Sequence, residues 1–290
     1  MAPTYLETLG HFTTFLTAYT HTLLYLRSLY PRTSFVQSRF HNTSVSQSRH
    51  PLVCEWIADA IAAVREELLS GSVAKIAIVV FSYGGGGSPE GSGSAKIMER
   101  YMFDVSGFPV VDKADRNMEI EWEHGPTPER SDDGREEGGD MGRRKTRALD
   151  EDVHVNLSEQ FRAALLALTT RTSVLEPLPP NCSFNISMEL KDEADIDPPI
   201  RHPQPWIPVQ PSLQKTGRKA AIRDEVEEEE FEAGRPTGKE GEDLGGAKVT
   251  PIRSVEAGVF RFETWIEEGK AKFQSREGHS TKTSFASSIS

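Results

Sequence analysis

Apolar residues near the N-terminus recur at the spacing of an amphipathic helix. Between residues 4 and 29 they fall every three or four positions on one face, and Pro31 ends the pattern. A second helix is predicted to begin at His50-Pro51, with proline in its first turn, and to end at Ser70-Gly71. The segment between these two helices, residues 34–40, is compatible with a short strand or hairpin arm.

Strand patterns follow the second helix. Residues 74–81 form a core strand and residues 96–105 alternate between two faces, so together they predict an antiparallel hairpin. A third helix is expected over about 156–174, and Pro179-Pro180 ends it because proline lacks an amide donor. The apolar face of this helix consists of Phe161, Leu165, Leu168 and Val174.

The most regular strand pattern follows the double proline. Over residues 182–190 the apolar side chains, Phe184, Ile186, Met188 and Leu190, alternate with polar ones, as in a half-buried strand. A long segment with little structural signal comes next, and one more strand is predicted over 258–266. A good strand followed by a loose segment that returns to the fold is an arrangement that can close over another molecule.

Three internal stretches have little periodic apolar pattern, and we predict them to be disordered insertions. They lie at about 84–94, 108–150 and 214–247, and residues 269–290 form a polar tail that we also expect to be disordered. The Gly-rich tract at 84–94 matches neither of the common phosphate-binding loop patterns. The remaining residues can form one well-buried core, so we expect a single domain over 1–268.

Composition excludes several classes of function. The net charge of −11 argues against tight direct binding to a nucleic-acid backbone. No apolar run is long enough to span a bilayer, so we expect neither membrane insertion nor a membrane partner. Two cysteines are too few for a disulfide framework, which favours a soluble protein in a reducing, intracellular compartment.

The sequence offers no recognisable active site. Histidines and cysteines do not cluster at metal-ligand spacing, and no nucleophile-elbow motif occurs. Carboxylates are abundant, but they concentrate in the tracts that we expect to be disordered, where nothing would position them. We therefore predict that the protein is not an enzyme, with no catalytic residue, no metal and no cofactor.

The order of elements, together with several short motifs, resembles the HORMA domain family. Within it, the likeness is nearest to the accessory, non-catalytic subunits of DNA polymerase zeta, which are relatives of the spindle-checkpoint HORMA proteins. The likeness covers about 1–106 and 150–268. The residues that carry it are Leu23 to Pro31, His50-Pro51 with Trp56-Ile57, Pro179 to Phe184, Pro205-Trp206-Ile207, and Pro251-Ile252 to Glu267-Glu268. The resemblance implies an α+β HORMA fold, with three helices packed on a mainly antiparallel sheet.

The resemblance also implies a mechanism of partner capture. In this family a C-terminal safety belt, here residues 205–268, crosses over a partner peptide that has added to the sheet as a strand. For polymerase-zeta accessory subunits the peptide is a proline-containing segment of the catalytic subunit. The positions implied to bind it are Tyr30, Trp56, Phe184, Ile186, Pro205 and Trp206. Tyr30, Trp56 and Trp206 could instead be ordinary core aromatics.

Two further surfaces follow from the same resemblance. The ordered end of the belt is implied to bind the C-terminal domain of a scaffold translesion polymerase, and Arg162 on the third helix is implied to mediate a HORMA–HORMA dimer. The positions for the scaffold polymerase are Val249, Pro251, Arg253, Glu263 and Trp265. An exposed tryptophan beside a carboxylate suits an interface anchor.

The resulting expectation is a nuclear adaptor that acts in DNA damage tolerance. Another HORMA adaptor, of the spindle checkpoint, the meiotic chromosome axis or autophagy, is the alternative within the family. Outside the family, a hydrolase would require an ordered acid–base pair that the sequence does not reveal.

Overall fold

A computed structural model of the protein describes residues 3–83, 95–120, 141–191, 248–257 and 259–273, with side chains of the third helix described from Leu157. The helices are α1 (Tyr5–Leu26), α2 (Pro51–Ser70) and α3 (Met141–Thr172). The strands are β1 (Phe35–Phe40), β2 (Thr43–Ser48), β3 (Val73–Tyr83), β4 (Ala95–Asp104), β5 (Cys182–Leu190), β6 (Lys248–Ala257) and β7 (Phe260–Glu268). None of the described helices is both long enough and apolar enough to cross a bilayer.

The central sheet has five antiparallel strands in the order β5-β3-β4-β7-β6, and β1 pairs with β2 in a separate hairpin. The predicted β3–β4 hairpin is confirmed, with Ile78 opposite Tyr101. The α+β class with a mainly antiparallel sheet is confirmed as well. Sequential strands β4 and β5 are not neighbours, because β3 lies between them.

Aromatic side chains join the helices to one face of this sheet. Phe15 of α1 stacks on Phe161 of α3, with ring centroids 4.6 Å apart. Tyr19 meets Phe103 of β4 edge-on at 4.8 Å, and Phe12 meets Phe262 of β7 at 5.2 Å. All of these rings are fully or almost fully buried, so α1 lies at the centre of the core.

The structure departs from the sequence expectation around α3. The helix begins at Met141 rather than near residue 156, and Val174, which was predicted on its apolar face, is 70% exposed beyond its last turn. Residues 108–120, predicted as the start of a disordered insertion, instead lie along the N-terminus of α1. There Thr4 forms a β-bridge with Glu119, and the Arg116 guanidinium donates to the Leu69 carbonyl at 2.6 Å.

A second departure concerns the C-terminal end. Residues 270–273 form a short helical turn after β7, and Lys272 within it is buried, whereas a disordered tail was expected from 269. The predicted insertions at 84–94 and 214–247 lie outside the described residues, as do the rest of the tail and most of the segment 121–150 apart from the α3 backbone.

A buried histidine predicts how stability depends on pH. His21 of α1 accepts a hydrogen bond at Nδ1 from the backbone N–H of Ser48, and burial lowers the pKa of His21. The unfolded chain therefore takes up a proton at this residue at a higher pH than the folded chain does. The stability that neutral His21 contributes is present above its ordinary pKa of about 6.5 and is lost as the pH falls below that value.

We therefore expect His21→Asn to flatten the fall in the free energy of unfolding between about pH 7 and pH 5, by at most about 1.4 kcal/mol per pH unit for one proton. Urea unfolding at a series of pH values measures this slope. A variant whose slope equals that of the parent protein would show that His21 is not the group responsible.

Candidate partner-binding surfaces

The outer edge of β5 is the first candidate surface. β5 pairs with β3 along its whole length, with Ile186 opposite Ile78, and no other described strand pairs with its far side. Asn181 precedes the strand with a φ of 62°, so the chain bends sharply between the double proline and β5. The predicted alternation is confirmed, since Phe184, Ile186, Met188 and Leu190 all pack on the core while Asn185 is exposed.

Three aromatic residues converge beside this edge. The ring of Phe184 lies 5.0 Å from that of Trp56 and 6.4 Å from that of Tyr30, in both cases nearly perpendicular. The three come from β5, from α2 and from the loop after α1, and we call them the edge aromatics. Each is only partly buried, and burial raises the pKa of Tyr30. The structure therefore brings together three of the six residues that the resemblance assigns to peptide binding.

The side chain and the backbone amide of Ile186 lie in different environments at this edge. Its side chain is buried in the core, so it does not line an open pocket. Its backbone N–H donates to Oδ1 of the neighbouring Asn185 at 2.8 Å. A backbone amide that is bonded to an exposed side chain is available to a carbonyl of an incoming strand once that side chain moves aside.

The path of the chain connects the two edges of the sheet. β5 forms one edge and β6 the other, with β3, β4 and β7 between them, a width of roughly 20 Å. Residues 192–247, which connect these two strands in sequence, lie outside the described residues. Pro205 and Trp206 are in this connection and lie outside the described residues.

The second candidate surface is on the face of the sheet that points away from the helices. Trp265 lies between Met102 of β4 and Pro251 of β6, and directly opposite residues share a face. The indole N–H of Trp265 donates to the Glu267 carboxylate at 2.9 Å, which fixes the ring orientation. Val249 lies opposite Glu267 on this same face.

Glu263 adds negative charge to this surface. It is exposed, and its partner in the β4–β7 ladder is Asp104, a second carboxylate. Like charges directly opposite each other in a sheet are unfavourable, and a cationic group from a partner would relieve their repulsion. Val249, Pro251, Glu263 and Trp265 therefore form one continuous surface, which we call the hairpin face.

Arg253 does not belong to the hairpin face. The register of β6 shifts between Pro251 and Arg253, and this bulge turns Arg253 toward the helices. Its guanidinium donates to Oε1 of Gln160 on α3 at 3.1 Å. The side chain thus ties β6 to α3 on the opposite side of the sheet from Trp265.

Arg162 lies on the exposed side of α3. Its side chain is 46% exposed and is 3.9 Å from the Glu159 carboxylate one turn earlier, a pair that contributes little to stability. Leu166, one turn later on the same helix, is exposed as well. The arrangement leaves the guanidinium accessible to another protein.

The two cysteines are both partly buried. Burial raises the pKa of the Cys182 thiol, which disfavours the nucleophilic thiolate form. Within the described ranges, no group of three or more histidine, cysteine or acidic side chains is placed to hold a metal ion.

Sequence reasoning missed a group of buried charges at one end of the sheet. Glu99 of β4 is fully buried and pairs with both Arg27 and Lys272, and Lys272 also pairs with Glu268. We call these four residues the ion cluster. One signal was visible in advance, because the alternation over residues 97–105 places Glu99 on the same face as Tyr101 and Phe103.

Comparison with known proteins gives consistent matches. The model of the HORMA domain family matches residues 9–234. The DNA polymerase zeta processivity subunit of Schizosaccharomyces pombe is 25% identical over 254 residues, which cover 88% of this chain and 89% of the relative. The mitotic spindle assembly checkpoint protein MAD2B of Danio rerio is 20% identical over 262 residues, 89% of each chain.

Solved structures share the fold at lower identity. A chain of the mitotic checkpoint complex superposes with a TM-score of 0.51 at 13% identity, covering 90% of this chain and 97% of that chain. HTP-2 of C. elegans, bound to a HIM-3 closure motif, superposes with a TM-score of 0.50 at 12% identity, covering 92% of each chain.

Proposed function

Because this chain belongs to the HORMA domain family, we propose that it is a non-catalytic adaptor that captures a partner peptide as an added strand on the outer edge of β5. The observation that carries this proposal is the open edge with the edge aromatics beside it. Main-chain hydrogen bonds would supply affinity there, and the partly buried rings would select side chains of the peptide.

The chemistry of the edge suits a peptide that contains proline. The edge aromatics offer perpendicular ring faces and edges, against which a rigid apolar ring can pack. Proline also lowers the entropy that an extended peptide loses on binding. Pro205 and Trp206 would complete the pocket from the belt.

We propose that residues 205–268 act as the safety belt. β5 and β6 lie at opposite edges of the sheet, which supports a belt that runs between them over a peptide bound on β5. A trapped peptide leaves only when the belt opens. Dissociation would therefore be slow, and affinity would be set mainly through the dissociation rate.

The partner that we propose is the catalytic subunit of translesion DNA polymerase zeta. The likeness to the S. pombe processivity subunit extends over most of both chains and supports this assignment. The hairpin face would then bind the C-terminal domain of a scaffold translesion polymerase, with Trp265 as the anchor and a basic group opposite Glu263. Such an adaptor would act in the nucleus, in tolerance of DNA damage.

A second candidate is an adaptor of the spindle checkpoint. The similarity to a protein named for that checkpoint, MAD2B of Danio rerio, favours it. The two candidates share the capture mechanism and differ in the peptide. Affinity purification from cells, with identification of the bound chain, distinguishes them.

Trp206→Ala tests the belt. We expect a fluorescent proline-containing peptide of the polymerase catalytic subunit to dissociate from this variant about tenfold faster or more, since an aromatic anchor over the peptide is lost. Stopped-flow displacement with unlabelled peptide measures the rate. Met118→Ala, which removes an exposed apolar side chain that belongs to neither proposed surface, is the control and should leave the rate unchanged.

If Trp206→Ala releases the peptide at the parent rate, Trp206 does not cover the peptide. If neither the parent nor the control binds any proline-containing segment of the catalytic subunit, the assignment to polymerase zeta is wrong.

A further inference from the structure

The ion cluster is buried and takes no direct part in either proposed binding surface. The Arg27 guanidinium donates to both oxygens of Glu99, at 2.9 and 2.6 Å, and Lys272 Nζ donates to the same carboxylate at 2.6 Å. Lys272 also donates to Glu268. Both partners of the Lys272–Glu99 pair are at most 1% exposed, which is rare for a lysine.

The charges of the cluster balance only as a set. Two cations face two carboxylates, so removal of one member leaves an unpaired charge in a buried environment, and this is strongly unfavourable. Burial opposes the charged form of Arg27, but Glu99, Tyr101 and Glu268 together outweigh that effect and the pKa of Arg27 is raised. The Tyr101 hydroxyl donates to Glu99 at 2.7 Å and completes its hydrogen bonds.

On one side the cluster reaches the segment that leads into β5. The Arg27 guanidinium also donates to the carbonyl of Glu176, at 2.6 Å, just before the double proline. Cys182, the first residue of β5, is near enough that its pKa responds to burial and then to the charge of Glu99. Arg27 thus connects the cluster to the segment that leads into the outer edge strand.

On the other side the cluster holds the end of β7. Lys272 belongs to the turn 270–273, and the preceding Gly269 N–H donates to the Met98 carbonyl of β4 at 2.9 Å. Ala271 of the same turn is buried in the core. Glu268 is the last residue of β7 and pairs with Glu99 in the β4–β7 ladder.

We propose that the ion cluster is a conformational latch that couples the edge of β5 to the β6–β7 hairpin. Withdrawal of Lys272 would leave Glu99 and Glu268 as neighbouring carboxylates with insufficient positive charge. The end of the β4–β7 ladder and the Arg27 contact to Glu176 would loosen together. The effect of the latch on partner binding rests on the proposed function, which assigns a different partner protein to each of the two surfaces.

Hydrogen exchange of the full-length protein without any partner tests the coupling. In Lys272→Met, which keeps the length of the side chain and removes its charge, we expect exchange to accelerate about tenfold or more in residues 176–190 and also in 248–268. Lys248→Met is the matched control. Lys248 lies 3.7 Å from the same Glu268 carboxylate but is 64% exposed, so its removal should change neither segment.

Lys272→Met combined with Glu268→Gln provides the rescue. The double variant removes one positive and one negative charge and leaves Arg27 paired with Glu99, so exchange in both segments should return toward the parent rate. Acceleration limited to residues 262–273 would overturn the proposal, because the cluster would then be only a local anchor. Equal acceleration throughout α1 and α2 would overturn it as well, since it would indicate global destabilisation.

This experiment is independent of peptide capture. A protein that binds no polymerase peptide can still show coupled exchange, and a protein that binds the peptide can still lack it. Failure of the latch and failure of the proposed function are therefore distinguishable.

Discussion

Replacement of Phe184 by alanine is expected to weaken binding of the captured peptide about 30-fold or more, the effect of losing a central aromatic anchor of about 2 kcal/mol. Phe184 is the member of the edge aromatics that touches both others, so its loss opens the pocket that Tyr30 and Trp56 share. Fluorescence polarisation with the labelled proline-containing peptide measures the affinity.

Two variants separate this effect from simple misfolding. Phe184→Leu keeps an apolar side chain on the core and should preserve the thermal midpoint while still losing the aromatic contacts. Met118→Ala removes an exposed apolar side chain beside the N-terminus of α1, at the opposite end of that helix from Tyr30, and should bind like the parent. Parent-like affinity in both Phe184 variants would exclude the edge aromatics from the binding site.

The second large effect concerns the fold itself. Phe161→Ala should lower the free energy of unfolding by about 3–5 kcal/mol, because it leaves a cavity in a well-packed core. Phe161 is fully buried and stacks on Phe15, through which α3 is attached to α1 and to the sheet. Urea denaturation followed by circular dichroism gives the value.

Leu166→Ala is the control on the same helix. Leu166 is 55% exposed, so its truncation should change stability by no more than about 0.5 kcal/mol. A loss below about 1 kcal/mol for Phe161→Ala would mean that α3 is not anchored through this aromatic stack.

Local pattern was sufficient to predict the elements that form the candidate site. The alternation in residues 182–190 indicated β5 and its apolar face, and Pro51 indicated where α2 begins. These signals depend on neighbours in sequence, which is why they could be interpreted without a structure. That Tyr30, Trp56 and Phe184 meet in space followed from the family resemblance and not from their spacing.

Features that depend on distant contacts could not be predicted in this way. Lys272 lies in a polar stretch whose composition is typical of a solvent-exposed tail. Its side chain is nevertheless buried and donates to the carboxylate of Glu99, 173 positions earlier in the chain. Residues 112–120 contain few aliphatic residues, and hydrogen bonds to α1 and α2, such as those of Arg116, hold them in place. The local sequence shows neither the contact of Lys272 with Glu99 nor the contacts of Arg116 with the two helices.

The position of Arg253 illustrates a third limit. A strictly alternating strand would place Pro251 and Arg253 on the same face, and the resemblance grouped them in one interface. The β-bulge between them changes the register by one residue and sends Arg253 to α3. A one-residue shift of this kind leaves no clear mark in the hydrophobic pattern.

Hydrogen exchange of the β5 amides, with and without the proline-containing peptide, tests the central claim most directly. If the peptide adds as a strand, exchange in residues 182–190 should slow markedly on binding, with the Ile186 amide passing from Asn185 to the peptide backbone. Protection that is absent from β5 and appears instead along β6 or on α3 would contradict capture at this edge.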